Sequence, residues 1–211
     1  MSESALTTRD RLIGAARELF TTAGYHATTT PMLAKRAGVA EGTIYRHFPS
    51  KQALLNAAYR EIQYWGAALA RDAGTGTGRT VGERLGGLAR QWLEIAERDP
   101  ARIRLLLAWK NPGELDEASR TAAAEFRTAL EHLIALGKQE GTVRAGVVEL
   151  WTSVWLTLST FATEKVATRE WSAHHPHAAA TLDAAWEAIA WRPIVMGGGA
   201  ARASDPVGEV A

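Results

Sequence analysis

A short segment between residues 41 and 51 combines side chains that can bind phosphate groups and the edges of DNA bases. It holds an acid, two hydroxyls, two basic side chains and an imidazole: Glu41, Thr43, Tyr45, Arg46, His47 and Lys51. Arginine can donate two hydrogen bonds to guanine O6 and N7, and glutamate can accept one from cytosine N4. Hydroxyl and ammonium groups donate to phosphate oxygens. The segment therefore predicts contact with double-stranded DNA.

Other chemistries have weaker support in the sequence. The chain has no cysteine, which excludes disulfides and thiolate metal ligands. His174, His175 and His177 suggest a metal site, but we expect Pro176 to prevent their presentation on a helix and predict a surface loop without metal. The glycines at 74–78 follow no strand and precede no Gly-Lys-Ser/Thr, so a nucleotide loop is not expected. No catalytic set or cofactor motif is found, and we predict no enzyme activity.

Charge is distributed unevenly along the chain, although the formal net charge is only +1. The first 60 residues hold eight of the 24 Lys and Arg residues and four of the 23 Asp and Glu residues. A basic head on a mildly acidic body suits a polyanion that is contacted at one end only. No run of 18 apolar residues and no apolar signal core occur, which predicts a cytoplasmic protein that contacts no membrane.

Three short helices are predicted to position the polar segment. The first begins at a Thr7–Asp10 capping box and ends at Gly24. The second follows Thr29 and ends at Ala37 before Gly38, and the third starts near Glu41. Apolar side chains at Leu33, Ala34, Ala37, Val39 and Ile44 are spaced to pack the second and third helices together. Two short helices joined by a glycine turn are typical of a helix-turn-helix, here at about residues 29–48.

The rest of the chain is also predicted to be helical, so the fold class is all-α with about nine helices. A fourth helix follows Pro49-Ser50, and further helices are expected at about 80–98, 100–110, 114–138, 146–169 and 178–192. The predicted domains are a three-helix head at 1–55, a ligand-binding and dimerisation bundle at 56–196, and a disordered tail at 197–211.

The head resembles the N-terminal domain of the tetracycline-repressor (TetR/AcrR) family of bacterial regulators. The resemblance covers about 50 residues, from Gly24-Tyr25-His26 through Gly42-Thr43-Ile44-Tyr45-Arg46-His47-Phe48 to Lys51 and Leu55. It implies that the following residues contact DNA: Thr29, Thr30, Glu41, Gly42, Thr43, Tyr45, Arg46, His47 and Lys51. Thr30 and Lys51 would bind phosphates, and Gly42 would allow close approach. Two positions depart from the family's pattern. Members of the family often have a serine at the position of Ala40, and many have a basic residue at the position of Glu41.

The body carries many tryptophans, eight in the whole chain. They form either core or the walls of a pocket for an apolar or aromatic small-molecule effector, and the candidates are Trp92, Trp109, Phe126, Trp151 and Trp155. The last two long helices carry further apolar side chains, which we interpret as a four-helix dimer interface: Trp151, Leu158, Leu182, Trp186 and Ile189.

Together these features predict a homodimeric, small-molecule-responsive repressor that binds a palindromic operator. The alternatives are a regulator without an effector or controlled by a protein partner, and a helical enzyme or carrier that keeps the head only as a fold.

Overall fold

The computed structural model describes residues 7–76, 78–109 and 111–191, and its regular elements there are helices. Nine α-helices are present in these ranges: α1 (Thr8–Thr22), α2 (Thr30–Ala37), α3 (Glu41–His47), α4 (Lys51–Gly74), α5 (Val81–Arg98), α6 (Pro100–Leu107), α7 (Glu117–Gln139), α8 (Val148–Ala167) and α9 (Pro176–Ile189). A 3-10 turn at Pro112–Glu114 precedes α7, and Val143 and Ala190 form an isolated β-bridge. The all-α prediction is confirmed.

Local capping chemistry sets the helix ends of the head. Thr7 and Asp10 form the expected capping box at the start of α1. Thr29 caps α2, and its hydroxyl accepts a hydrogen bond from the Met32 N–H at 3.4 Å. Gly38 ends α2 in the left-handed region with φ +65°, which favours glycine. Ser50 caps α4 through the N–H of Ala53.

The last helix begins earlier than the sequence predicts. Pro176 is its first residue, and His175 is its N-cap, accepting from the N–H of His177 at 3.1 Å. Proline fits the first turn because its missing N–H would have no helical partner there. Our reason for excluding helical presentation of these histidines was therefore wrong. Within the described ranges, no three His, Asp or Glu side chains are grouped to hold a metal ion. The predicted tail at 197–211 lies outside the described residues.

Helix α4 runs without a break from the head into the body. The predicted domain boundary at residue 55 falls inside it. Along α4, Leu54, Leu55, Ala58 and Ile62 are buried. Gly66 lets the body close tightly on α4, because a Cβ there would lie 2.5 Å from Leu106 Cδ1. The head and body therefore share one continuous core.

None of the helices in the described ranges combines the length and apolar character needed to cross a membrane.

Candidate nucleic-acid interface

Helix α3 has one buried face and one exposed face. Ile44 is fully buried and Phe48, just after the helix, is 4% exposed, as expected for core residues. On the opposite side Tyr45 is 55% exposed, and Arg46 and His47 are also exposed. The face that carries these three side chains is therefore open to solvent and accessible to a partner.

Helix α2 and the turn after it hold α3 in place. Leu33, Ala34 and Ala37 of α2 are buried in the head, and the Val39 N–H donates to the Ala34 carbonyl at 3.0 Å. Together they form the apolar support that the sequence predicts, and they leave the polar side of α3 outside. The predicted site residues of α3 are consequently brought together on one surface.

Two hydroxyl residues at the start of α2 have different roles in the protein alone. Thr29 is the N-cap. The Thr30 hydroxyl donates to Glu41 Oε1 at 2.8 Å and so joins the first turn of α2 to the first turn of α3. Ala40, the N-cap of α3, provides no side-chain hydrogen bond, as its residue type requires. Thr43 is half-buried beside this pair of helix ends.

Lys51 forms hydrogen bonds within the head. The sequence predicts only that its ammonium group binds a phosphate. Its Nζ donates to the carbonyls of Tyr25 and Thr28, each at 2.9 Å, and lies 4.3 Å from the centre of the Tyr25 ring. Burial raises the pKa of the Tyr25 phenol, and the nearby Glu114 carboxylate adds to the rise. An ammonium group has three donors, so Lys51 retains one N–H for an outside acceptor.

Helices α2 and α3 carry three of the basic side chains of the head, Lys35, Arg36 and Arg46. Lys35 and Arg36 are exposed at the end of α2, and Arg36 forms an ion pair with Glu18 of α1. Within the part of the chain that is described, Arg46 takes part in no ion pair. Arg46 is therefore the basic side chain on α3 that is free to meet an anion.

The candidate aromatic residues of the body do not surround one cavity. Trp92, Phe126 and Trp155 are buried against one another, with ring centroids 6.1 Å apart for Trp92–Phe126 and 5.5 Å for Trp92–Trp155. Trp109 borders a cleft of about 390 Å³ between the end of α1 and the end of α6. Trp151 lies at the start of α8, where its indole N–H donates to the Ala145 carbonyl. The structure thus brings three of the five residues together as packed core.

A groove of about 610 Å³ lies instead between the second half of α4 and α7. The apolar residues Ala70, Gly74, Ala129 and Leu133 form its base, and the polar residues Thr75, Thr121, Thr128 and His132 also line it. An ion pair between Arg71 and Glu125, at 3.3 Å, lies on its rim. Its size falls in the range of small-molecule sites. Sequence reasoning missed this groove, because Ala and Gly carry no signal of their own.

The apolar surface of α8 and α9 also differs from the predicted dimer interface. Leu182 and Ile189 are buried within the chain itself, and Trp186 is half-buried over Gly82. The exposed apolar side chains in this region are Val147, Leu150, Phe161 and Trp191, each 49% exposed or more.

Polar contacts of α1 and α4 join the head to the body. Asn56 donates to the Glu114 carbonyl at 3.0 Å and accepts from the Asp116 N–H at 2.9 Å. Arg17 of α1 pairs with Asp99 at 2.9 Å, where α6 begins. The head is therefore bonded to the starts of α6 and α7. These pairs are 60 and 82 residues apart in sequence, so no local pattern indicates them.

Comparisons with known proteins agree with this geometry. The family model described as bacterial regulatory proteins, tetR family, matches residues 12–58. The chain is 39% identical to the HTH-type transcriptional regulator UidR of Escherichia coli K12 over 63 residues, 30% of this chain and 32% of UidR. It is 32% identical over 151 residues to the nucleoid occlusion factor SlmA of Marinobacter nauticus, covering 70% of this chain and 74% of SlmA. It is 29% identical over 173 residues to the HTH-type transcriptional repressor KstR of Mycolicibacterium smegmatis, covering 77% of this chain and 83% of KstR.

Solved structures share the whole fold. A tetR family regulator from Shewanella superposes with a TM-score of 0.73 at 24% identity, over 89% of this chain and all of the other. FadR of Bacillus subtilis, solved in complex with stearoyl-CoA, gives 0.66 at 22% identity, over 84% of this chain and 95% of FadR. The fold and the supported, outward-facing α3 define an all-helical protein with an N-terminal helix-turn-helix. The chain belongs to the tetR family of bacterial regulatory proteins.

Proposed function

We propose that this chain is a homodimeric transcriptional repressor that binds a palindromic operator and releases it when a small apolar or aromatic effector occupies the body. The observation that carries the proposal is α3, which buries Ile44 and exposes Tyr45, Arg46 and His47 on one surface. A helix supported in this way fits the major groove, which is about 12 Å wide. The similarity to KstR, which is named a transcriptional repressor, supports repression over activation.

The DNA contacts are assigned to the exposed residues of α3 and to the helix ends beside it. Arg46 and Tyr45 face the groove, His47 and Thr43 approach the phosphates, and the N-terminal residues of α2, Thr29 and Thr30, border the same surface. Lys51 reaches a phosphate through its remaining N–H. Gly42 also belongs to this surface, since a Cβ there would meet no atom of the protein within 4 Å. Its missing side chain leaves room for the DNA.

Dimerisation uses the exposed face of α8 and the end of α9. Leu150 and Phe161 are eleven residues apart, which puts them on one side of α8, and Val147 is the exposed N-cap of the same helix. Trp191 is exposed directly after α9. Apolar side chains grouped on a surface are typical of a protein interface. A two-fold axis through this face presents two α3 helices to successive major grooves, about 34–36 Å apart.

The effector site is assigned to the groove between α4 and α7. Its apolar base suits an apolar or aromatic molecule, and its volume of about 610 Å³ suits a small one. A ligand lying there separates the second half of α4 from α7. Because α4 begins at Lys51 in the head, the displacement changes the spacing of the two α3 helices. FadR, a protein of the same fold, was solved with stearoyl-CoA bound.

Selection of bound sequences from random duplex DNA tests the DNA-binding part. We expect an enriched sequence with dyad symmetry. Recovery of no enriched duplex at low salt contradicts the proposal.

A thermal-shift screen of apolar and aromatic compounds tests the effector part, because a ligand of the folded state raises its melting temperature. A compound that binds should weaken operator affinity by about 5- to 150-fold. The variant Ala129→Trp, which fills the groove, should bind DNA but no longer respond. A compound that binds tightly and leaves operator affinity unchanged argues against effector control.

A further inference from the structure

A single acidic residue lies on the surface that the proposed function directs towards DNA. Glu41 is exposed at the start of α3 and is the one Asp or Glu between residues 29 and 51. Its neighbours in that segment include Lys35, Arg36 and Arg46. A carboxylate there is repelled by the phosphates of the duplex. The first turn of α3 and the Thr30 hydroxyl stabilise the carboxylate in the protein alone, and a hydrogen-bond donor on the DNA would offset the repulsion in the complex.

The major groove offers only two kinds of amino donor, cytosine N4 and adenine N6. Adenine N6 lies between two acceptors of the A·T pair, adenine N7 and thymine O4, which both repel a carboxylate, whereas cytosine N4 has an acceptor on one side only, guanine O6. A carboxylate has acceptors only, so it favours cytosine. An amide such as glutamine has both kinds of group and favours adenine through N6 and N7.

The hydrogen bond from Thr30 makes Glu41 a directed acceptor. The Thr30 hydroxyl donates to Oε1 at 2.8 Å, across eleven residues of sequence and between two helices. The bond fixes the carboxylate through one oxygen, so Oε2 is left to accept from outside. A side chain that is ordered before binding loses less conformational entropy when it binds. The Thr30 proton is committed to Glu41 here, so a phosphate is not its partner in the protein alone.

We infer that Glu41 is a specificity-determining residue that accepts from a cytosine amino group at one position of each half-site, and that Thr30 positions it. This inference rests on the proposed function and deepens it by naming a base pair of the operator. Glu41 lowers the affinity for all DNA duplexes and raises the preference for cytosine at one position of the half-site. Thr30 acts through Glu41 and not through the phosphate backbone.

The test is selection from random duplex DNA with four proteins: the unsubstituted chain, Glu41→Gln, Thr30→Val and the control Glu18→Gln. The control removes one negative charge from the same head but at α1, where Glu18 pairs with Arg36. We expect Glu41→Gln to replace cytosine by adenine at one position in each half-site, with a preference changed by about 5- to 150-fold. Thr30→Val should weaken the preference for cytosine at that same position and change no other. Glu18→Gln should raise affinity for all duplexes and leave every base preference unchanged.

The outcomes separate this inference from the proposed function. Dyad-symmetric sites that are identical for the unsubstituted chain and for Glu41→Gln overturn the inference and leave the proposed function standing. A Thr30→Val protein that loses affinity for all duplexes equally, with the cytosine preference intact, overturns the positioning role of Thr30. If the unsubstituted chain selects no duplex, both the proposed function and the inference fail. Circular dichroism of each variant verifies that it remains folded.

Discussion

Side chains on α3 have opposite environments within one helical turn. Ile44 is fully buried and Tyr45 is 55% exposed, although they are adjacent in sequence. The apolar spacing of α2 and α3 predicts this division from the sequence. The bond between Thr30 and Glu41 could not be predicted, since it depends on the angle between two helices and not on local spacing.

At Gly42 the missing side chain has no role in packing. An added Cβ would lie in open space, and alanine favours helix over glycine by about 0.5–1 kcal/mol. We predict that Gly42→Ala folds with equal or greater stability but binds operator at least about 10-fold more weakly, because the methyl group meets DNA. Gly14→Ala is a matched control in α1, also with open space at its Cβ. Denaturant unfolding and gel-shift titration measure the two effects, and unchanged DNA affinity for Gly42→Ala contradicts the assignment.

Lys51 allows its structural and binding roles to be compared directly. Replacement by methionine leaves the Tyr25 and Thr28 carbonyls without their charged donor, so we predict a loss of about 1–3 kcal/mol in the free energy of unfolding. A residue that serves only as a phosphate anchor would cause no such loss. Urea unfolding of Lys51→Met decides between the two, with exposed Lys35→Met as the control.

At the scale of the helices, capping residues predicted the helix ends most reliably. Thr7, Thr29, Gly38 and Ser50 mark helix ends correctly because each acts within four residues of itself. Pro176 was misread because proline both breaks helices and starts them, and local sequence did not separate the two effects.

Helix α4 links the two ends of the protein, and Asn56 fastens it to the start of α7. The Asn56 side chain is 2% exposed and is hydrogen-bonded to the backbone at both Glu114 and Asp116. Asn56→Ala leaves the Asp116 N–H without its acceptor and the Glu114 carbonyl with only the bond from Gln52, and we predict a destabilisation of about 1–3 kcal/mol. Gln52→Ala, which removes one exposed bond to the same Glu114 carbonyl, should cost less than about 1 kcal/mol. Equal losses of stability for the two variants in thermal unfolding would show that the Asn56 hydrogen bonds to Glu114 and Asp116 do not form.

At the scale of the whole molecule, the sequence predicts the all-α architecture but not which apolar residues meet a partner. Leu182 and Leu150 both lie at helical spacings, yet Leu182 is 6% and Leu150 49% exposed. The difference arises from the packing of α8 and α9 on the rest of the body. For the same reason Trp92 and Trp155, which the sequence allowed as pocket or core, pack as core.

The exposed face of α8 gives a prediction for assembly. A glutamate at Leu150 or Phe161 would bury a charge in the proposed dimer, which is strongly unfavourable. We predict that Leu150→Glu and Phe161→Glu are folded monomers with weaker operator binding. Tyr64→Glu changes a residue of similar exposure on α4 and should remain dimeric. Sedimentation equilibrium measures the masses, and a dimer retained in both α8 variants places the interface elsewhere.

The central claim is that the exposed face of α3 enters the DNA groove. Its most direct test is a fluorescence-anisotropy titration of selected operator duplex with the unsubstituted chain and with the double variant Tyr45→Ala/Arg46→Ala. The account predicts at least about a 10-fold loss of affinity in the variant, since each lost base contact costs about 1–3 kcal/mol, with folding unchanged because both side chains are exposed. A folded double variant that binds operator as tightly as the unsubstituted chain would contradict it.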